Sequence, residues 1–154
     1  MTPKFRPCVA ALLQNPEGKI LIAERRDFAE SWQFPQGGID DGESPRIALI
    51  REMGEELSLK ESQFEIVSER PGYRYEFPKK HRRWGKYIGQ EQTYFLCKFT
   101  ADDSAININT PHPEFRSWKW IRPDEFQLPW LPEFKRKVYH QVMLDFFNID
   151  LALT

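Results

Sequence analysis

Glu52, Glu55 and Glu56 crowd one short stretch, SPRIALIREMGEELSL, at residues 44–59. At about 100° per residue of helix, the three carboxylates fall within about 100° of one another. Ile47, Ile50, Met53 and Leu57 fall within about 120° on the other side. The pattern predicts a helix with one face docked on a sheet and the other presenting acids. Like charges at this spacing repel, and these acids lie in the last half of the helix, where the dipole disfavours negative charge. Glu43, at the junction before the helix, can return a fourth carboxylate to the same face. Four carboxylates so placed are expected to hold their protons more tightly than usual and to need a compensating cation. All-oxygen donors suit Mg2+, or Mn2+ in its place. Arg51 adds one fixed positive group that can orient a carboxylate.

Several elements must position these residues. WQFPQGGIDDGES, residues 32–44, reads as a polar loop into the helix. Ser44 suits the N-cap and Pro45 the first helical position, which sets the helix at about 45–57. Upstream, CVAALLQ and KILIAERR flank the turn signal NPEG and read as a hairpin. FEIVSER and GYRYEF look like two strands. GQEQTYFLCKF, apolar on both faces over residues 93–99, reads as a central strand. FRSWKWI is a last strand, and residues 132–147 form a closing helix with Phe134, Val138 and Val142 spaced by four. Between the strands lie a basic loop, PKKHRRWGK, and a polar connection, ADDSAININTPHPE. Strands outnumber helices. The expected fold is α+β, a mixed or mostly antiparallel sheet between helices, in one domain spanning residues 1–154.

With 154 residues and 40% hydrophobic composition, the chain suits one domain with a sizeable core. A net charge of −1 sets up no global field toward DNA or any other nucleic acid, so a basic partner surface must be local. Aromatics make up 14% of the chain, enough to line a surface that stacks against flat groups as well as a core. Cys8 and Cys97 sit far apart in apolar runs and read as buried thiols in a reducing compartment. The N-terminal apolar run is too short for a membrane span and lacks a signal-cleavage pattern. The expected location is cytoplasmic.

Gly37, five residues, Glu43, seven residues, then REMGEELSL resembles the Nudix box, Gly-x5-Glu-x7-Arg-Glu-U-x-Glu-Glu-x-Gly-U, where U is a bulky aliphatic. One position departs: Ser58 stands where the family has Gly. That glycine serves a left-handed helix end, which Ser adopts at a cost of about 1–2 kcal/mol. FRPCVAALL, WQFPQGGID, GQEQTYFL, PEFRSWKWI and FKRKVYHQVM extend the resemblance over about residues 5–147. They are similar to the bacterial RNA pyrophosphohydrolase and dinucleoside polyphosphate hydrolase subgroup.

The resemblance implies a Nudix fold and Mg2+-dependent hydrolysis of RNA 5′-triphosphate ends or dinucleoside polyphosphates, with RNA 5′-end processing and mRNA decay as its setting. It implies Glu52 and Glu56 as main metal ligands, Glu55 in support, Gly37 through its carbonyl, and Glu114 of PEF as a further acid. Phe134 and Arg26 would sandwich a base, Arg6 and Lys135 would meet phosphates, and Tyr75 is a weaker contact. The basic loop, with Lys79, Lys80, Arg82, Arg83 and Lys86, resembles one that lies over the substrate. In such a reaction cations neutralise phosphate charge, water attacks phosphorus, and a carboxylate takes the proton. Glu56 and Glu114 both remain open as that base. Alternatives are a nucleoside-triphosphate sanitising enzyme of the same fold and a non-catalytic nucleotide- or RNA-binding domain. The second expects a lost box carboxylate, and Glu43, Glu52, Glu55 and Glu56 are all present.

Overall fold

The structure is a computed structural model that describes residues 4–81 and 86–152. Among the described residues, seven strands join in one sheet between two helices. Strand β1 (Phe5–Gln14) lies at its centre, parallel to β6 (Gly89–Phe99), and the pairing runs from Phe5–Gly89 to Gln14–Lys98. Strand β5 (Phe64–Glu76) adds antiparallel to β6 at the sheet edge. On the other side, β2 (Ile20–Arg25) pairs antiparallel with β3 (Trp32–Gln33) and β7 (Phe115–Ile121). Strand β4 (Gln36–Gly38) pairs with β1. The α+β expectation holds.

Alternation along β1 builds two cores. Val9, Ala11 and Leu13 pack with Ala48, Leu49, Met53 and Leu57 of helix α1 (Pro45–Leu57). Ala10 and Leu12 pack on the opposite face with Val138, Tyr139, Val142 and Met143 of helix α2 (Glu133–Phe147). A strand buried on both faces reads as a continuous apolar run, as β1 does.

Three local readings change. The WQFPQGG stretch is not wholly loop: it carries β3 and β4, strands too short for a periodic signal. The expected hairpin shrinks to a corner, with Gln14–Ile20 the single pair that joins β1 and β2 among the described residues. β2 turns instead to β3 and β7. The two strands expected over residues 64–77 are one, β5, whose register shifts between Arg70 and Tyr73. Pro71 and Gly72 (φ +92°) fall in that shift, which an edge strand tolerates.

Helix α1 has the expected bounds. The Ser44 hydroxyl accepts the Ile47 N–H at 3.2 Å. At the far end Ser58 takes the left-handed conformation, φ 62°. Its N–H donates to the Gly54 carbonyl, and the Leu59 N–H donates to that of Met53. The Ser58 hydroxyl donates to the Asn107 carbonyl at 2.8 Å, a bond glycine could not make, and this offsets part of the conformational cost.

The helical wheel needs correction. Ile47 is 57% exposed, and Glu56 is buried beside Ala48, Leu49, Met53 and Leu57. The helix rests on β4 as well as on β1, so its inward face rotates toward the acids. Both cysteines are buried and free. Among the described residues no helix is long and apolar enough to cross a membrane.

Candidate active site

Arg51 organises the acid end of α1. A guanidinium has five N–H donors, and the described contacts use all five. Nε and Nη2 donate to the two oxygens of Glu43 at 2.8 and 2.9 Å. Nη2 also reaches the Gly38 carbonyl at 2.8 Å. Nη1 donates to Glu52 at 2.9 Å and Glu55 at 3.2 Å. One cation thus ties the loop, β4 and the helix together.

The carboxylates divide accordingly. The Arg51 fork, helped by the Asp40 backbone N–H, holds the Glu43 carboxyl down at about 2. Glu43 is therefore held as an anion, and the expected rise in proton affinity does not extend to it. Burial pushes Glu52 above the usual range, with Arg51 opposing. Burial also pushes Glu56 up to about 9, and the neighbouring charges of Glu52 and Glu114 add to the rise. The backbone N–H of Gln36 opposes it, while Glu56 Oε2 is buried with no hydrogen-bond partner. Glu55 remains 59% exposed.

Gly37 lets the Glu52 carboxylate lie close over β4. A Cβ there would stand 2.0 Å from Glu52 Cδ, and one at Gly38 would stand 2.3 Å from Arg6 Nη2. The two glycines therefore let an acid and a base approach β4 closely.

These residues line a cleft of about 760 Å³. Gly37, Glu52, Glu55, Glu56 and Glu114 form its acid side, and Arg6, Arg25, Tyr75, Phe134 and Lys135 line it elsewhere. Lys135 is buried, its Nζ 5.9 Å from the Tyr75 ring centre and 6.0 Å from that of Phe134. Burial lowers its amine to about 8, and the charge of Arg25 contributes. Phe134 is half-buried and packs on Tyr75 at 5.6 Å and Phe77 at 6.3 Å.

One expected contact lies elsewhere. Arg26 is exposed and does not line the cleft; its neighbour Arg25 does. Arg25 is gripped by Asp27 through two bonds of 2.9 and 2.7 Å. The register of β2 against β7 shifts between Glu24 and Arg25, so simple alternation could not choose between the two arginines. Arg82 and Arg83 of the basic loop lie outside the described residues, whereas Lys79, Lys80 and Lys86 are exposed.

The sequence reading also missed Gln33, Gln36, Gln90 and His112, which line the cleft. For Gln90 a signal existed: the period of two in GQEQTY puts Gln90, Gln92 and Tyr94 on one face. His112, between two prolines, carried none.

A mixed sheet between two helices, with an acidic helix lining a cleft, defines the Nudix class of fold. The NUDIX domain family matches residues 4–142, and the chain belongs to that family. It is 40% identical to an RNA pyrophosphohydrolase of Sphingopyxis alaskensis over 92% of each chain. It is 41% identical to an RNA pyrophosphohydrolase of Roseobacter denitrificans over 98% of this chain and all of that one. Among solved structures, a C. elegans Ap4A hydrolase binary complex matches with TM-score 0.61 and 23% identity, covering 78% of this chain and 82% of that one. The E. coli dihydroneopterin triphosphate pyrophosphohydrolase matches with TM-score 0.66 and 16% identity, covering 94% and 99%. At these identities the solved structures speak to the fold alone.

Proposed function

We propose that this chain, with Mg2+ or with Mn2+ in its place, removes pyrophosphate from 5′-triphosphate or diphosphate RNA ends and splits dinucleoside polyphosphates. It is a Nudix hydrolase acting on pyrophosphate bonds. The observation that carries the substrate reading is one cleft lined by the carboxylates of Glu52, Glu55, Glu56 and Glu114 together with the cations Arg6, Arg25 and Lys135. The cations suit phosphate oxygens, and the ring of Phe134 suits a base.

Nudix hydrolases generally use a divalent metal. Among the described residues no three carboxylate, imidazole or thiol groups already enclose an ion position, and Arg51 holds oxygens of Glu52 and Glu55. The donor chemistry nevertheless fits a hard divalent cation. The oxygens are carboxylate, and the buried, unpartnered Oε2 of Glu56 is the kind of atom such an ion satisfies. Glu52 and Glu56 would hold it, with Glu55, Glu114 and the Gly37 carbonyl in support. When bound it would neutralise phosphate charge that builds during cleavage.

The chain's own residues do the rest. Arg6 and Lys135 hold phosphates, and Phe134 supports the terminal base. Arg51 keeps Glu52 oriented. Glu56 or Glu114 accepts the proton of the attacking water. Nothing in this grip requires reading the molecule beyond its first nucleotide, so an RNA chain or a second nucleoside can follow. The exposed Lys79, Lys80 and Lys86 add attraction for a longer RNA, an effect that salt weakens. A cytoplasmic site of action belongs to the same reading.

Rates measured side by side on 5′-triphosphorylated RNA and diadenosine tetraphosphate with Mg2+ test it. Turnover of either, with pyrophosphate released from the RNA, supports the proposal. Inertness toward both, alongside hydrolysis of free nucleoside triphosphates, points to a sanitising enzyme instead.

A further inference from the structure

Three glutamines meet where β4, β1 and β6 run side by side. Gln92 on β6 is buried, 2% exposed, and does not line the cleft, whereas Gln36 on β4 and Gln90 on β6 do. Gln92 Nε2 donates to Gln36 Oε1 at 2.7 Å and to Gln90 Oε1 at 3.2 Å. An amide nitrogen has two hydrogens, so Gln92 spends both. Each neighbour's oxygen is thereby turned back toward Gln92. What Gln36 and Gln90 have left for the cleft is their NH2 groups.

The opposite arrangement can be weighed. If Gln92 presented its oxygen to both neighbours, its own NH2 would be the buried group left over. Two orphaned N–H donors are worse than one under-used carbonyl. The observed arrangement leaves only Gln92 Oε1 unpartnered. Burial therefore selects the state in which the cleft receives donors. Gln36 is anchored further by its backbone N–H, which bonds to Glu56.

We propose that Gln92 is a positioning residue that locks the Gln36 and Gln90 side-chain amides with their NH2 groups toward the cleft, as donors for the phosphate oxygens of the substrate. This rests on the polyphosphate reading above. It adds a neutral pair of donors to a cleft lined by both acids and cations. A polyanion gains from donors that carry no charge of their own, because these bind its oxygens without competing for Arg51's carboxylates.

The test uses inorganic tripolyphosphate as the probe, with binding measured by calorimetry and melting followed in parallel. Gln92→Glu keeps the shape but offers one donor at most, and none when ionised, so it should flip at least one of the two amides and present its oxygen to the cleft. Gln92→Met keeps the length, removes the donors and is apolar enough to be tolerated where Glu is not. Tripolyphosphate affinity should fall about tenfold in the Glu variant and about threefold in the Met variant. KM for the nucleotide substrate should rise in the same order, with kcat changed less than about twofold and the Met variant melting near the wild type. If the wild type binds tripolyphosphate and a folded Met variant binds it equally well, the positioning role is overturned. A Met variant whose affinity falls only in proportion to lost melting temperature also overturns it, since that is a packing effect. If the wild type itself fails to bind tripolyphosphate, the polyphosphate reading of the cleft fails first. If it binds but hydrolyses nothing, the catalytic reading fails while the role of Gln92 stands.

Discussion

Helices α1 and α2 contribute opposite charges to one cleft and stabilise them differently. At α1, Glu43 just before the helix and Glu52 and Glu55 on it share the Arg51 guanidinium, one to eight residues away in sequence. On α2, Lys135 is buried beside the Tyr75 ring of β5, with its amine lowered to about 8. The first arrangement is local, so its spacing survives as a motif. The second exists only once β5 and α2 have come together. Charges held locally can be crowded into a site that otherwise repels them. A charge held by burial is adjustable, because losing a proton costs it little.

Glu56→Gln should have the largest effect. In the absence of metal the raised proton affinity keeps Glu56 neutral at pH 7, so the amide replaces it with little loss of stability. Turnover should fall at least about 100-fold, roughly 2.7 kcal/mol of barrier, with melting shifted by only a few degrees. A variant that keeps more than about a tenth of the activity removes Glu56 from the chemistry.

Arg51→Met should act on stability as well as on rate. It leaves three carboxylates without their shared cation. With the arginine side chain 24% exposed, the loss should be about 1–3 kcal/mol, below that for a fully buried pair. Urea unfolding reads it. The Glu43 carboxyl sits near 2 when folded, below its ordinary 4.5. Its pairing therefore stabilises fully above about pH 4.5 and is lost as pH falls toward 2. The Met variant should lack that part of the acid transition.

On the α2 side, Phe134→Ala should weaken nucleotide binding by about 1–3 kcal/mol if a base stacks there. A pure packing role would instead cost stability, up to about 3–5 kcal/mol, with KM unchanged. Melting and KM measured together separate the two. Arg25→Ala should raise KM severalfold and Arg26→Ala should not, since only the former lines the cleft; the reverse result would restore Arg26 as the base clamp.

The smallest effect belongs to Lys135. Its folded value, about 8, lies below the ordinary 10.5. Between those pH values the folded chain binds fewer protons than the unfolded chain, so stability rises with pH through that window. Lys135→Met should remove the rise, as followed by melting at pH 7, 8, 9 and 10.

Legibility in the sequence followed the same division. Residues 45–57 were readable as a helix because Ser44 and Pro45 mark its start locally and the acids repeat at helical spacing. Ser58 was readable as a left-handed end only through the resemblance, which places a glycine at that position. The burial of Glu56 was not, because it depends on β4, a strand of three residues. Nor was the choice of Arg25 over Arg26, which turns on a register shift between two strands far apart in the chain. Gln92 was hidden for a related reason: its partners lie on β4 and along β6, and its two hydrogen bonds follow from tertiary packing.

In the proposed function the carboxylates of α1 hold a divalent cation through Glu56. Titration of Mn2+ into the wild type and Glu56→Gln, read by paramagnetic resonance of the free ion, measures this. Saturable binding is expected for the wild type, weakened at least about tenfold in the variant, while both proteins unfold at nearly the same temperature. Equal affinity in the two would remove Glu56 from the metal site.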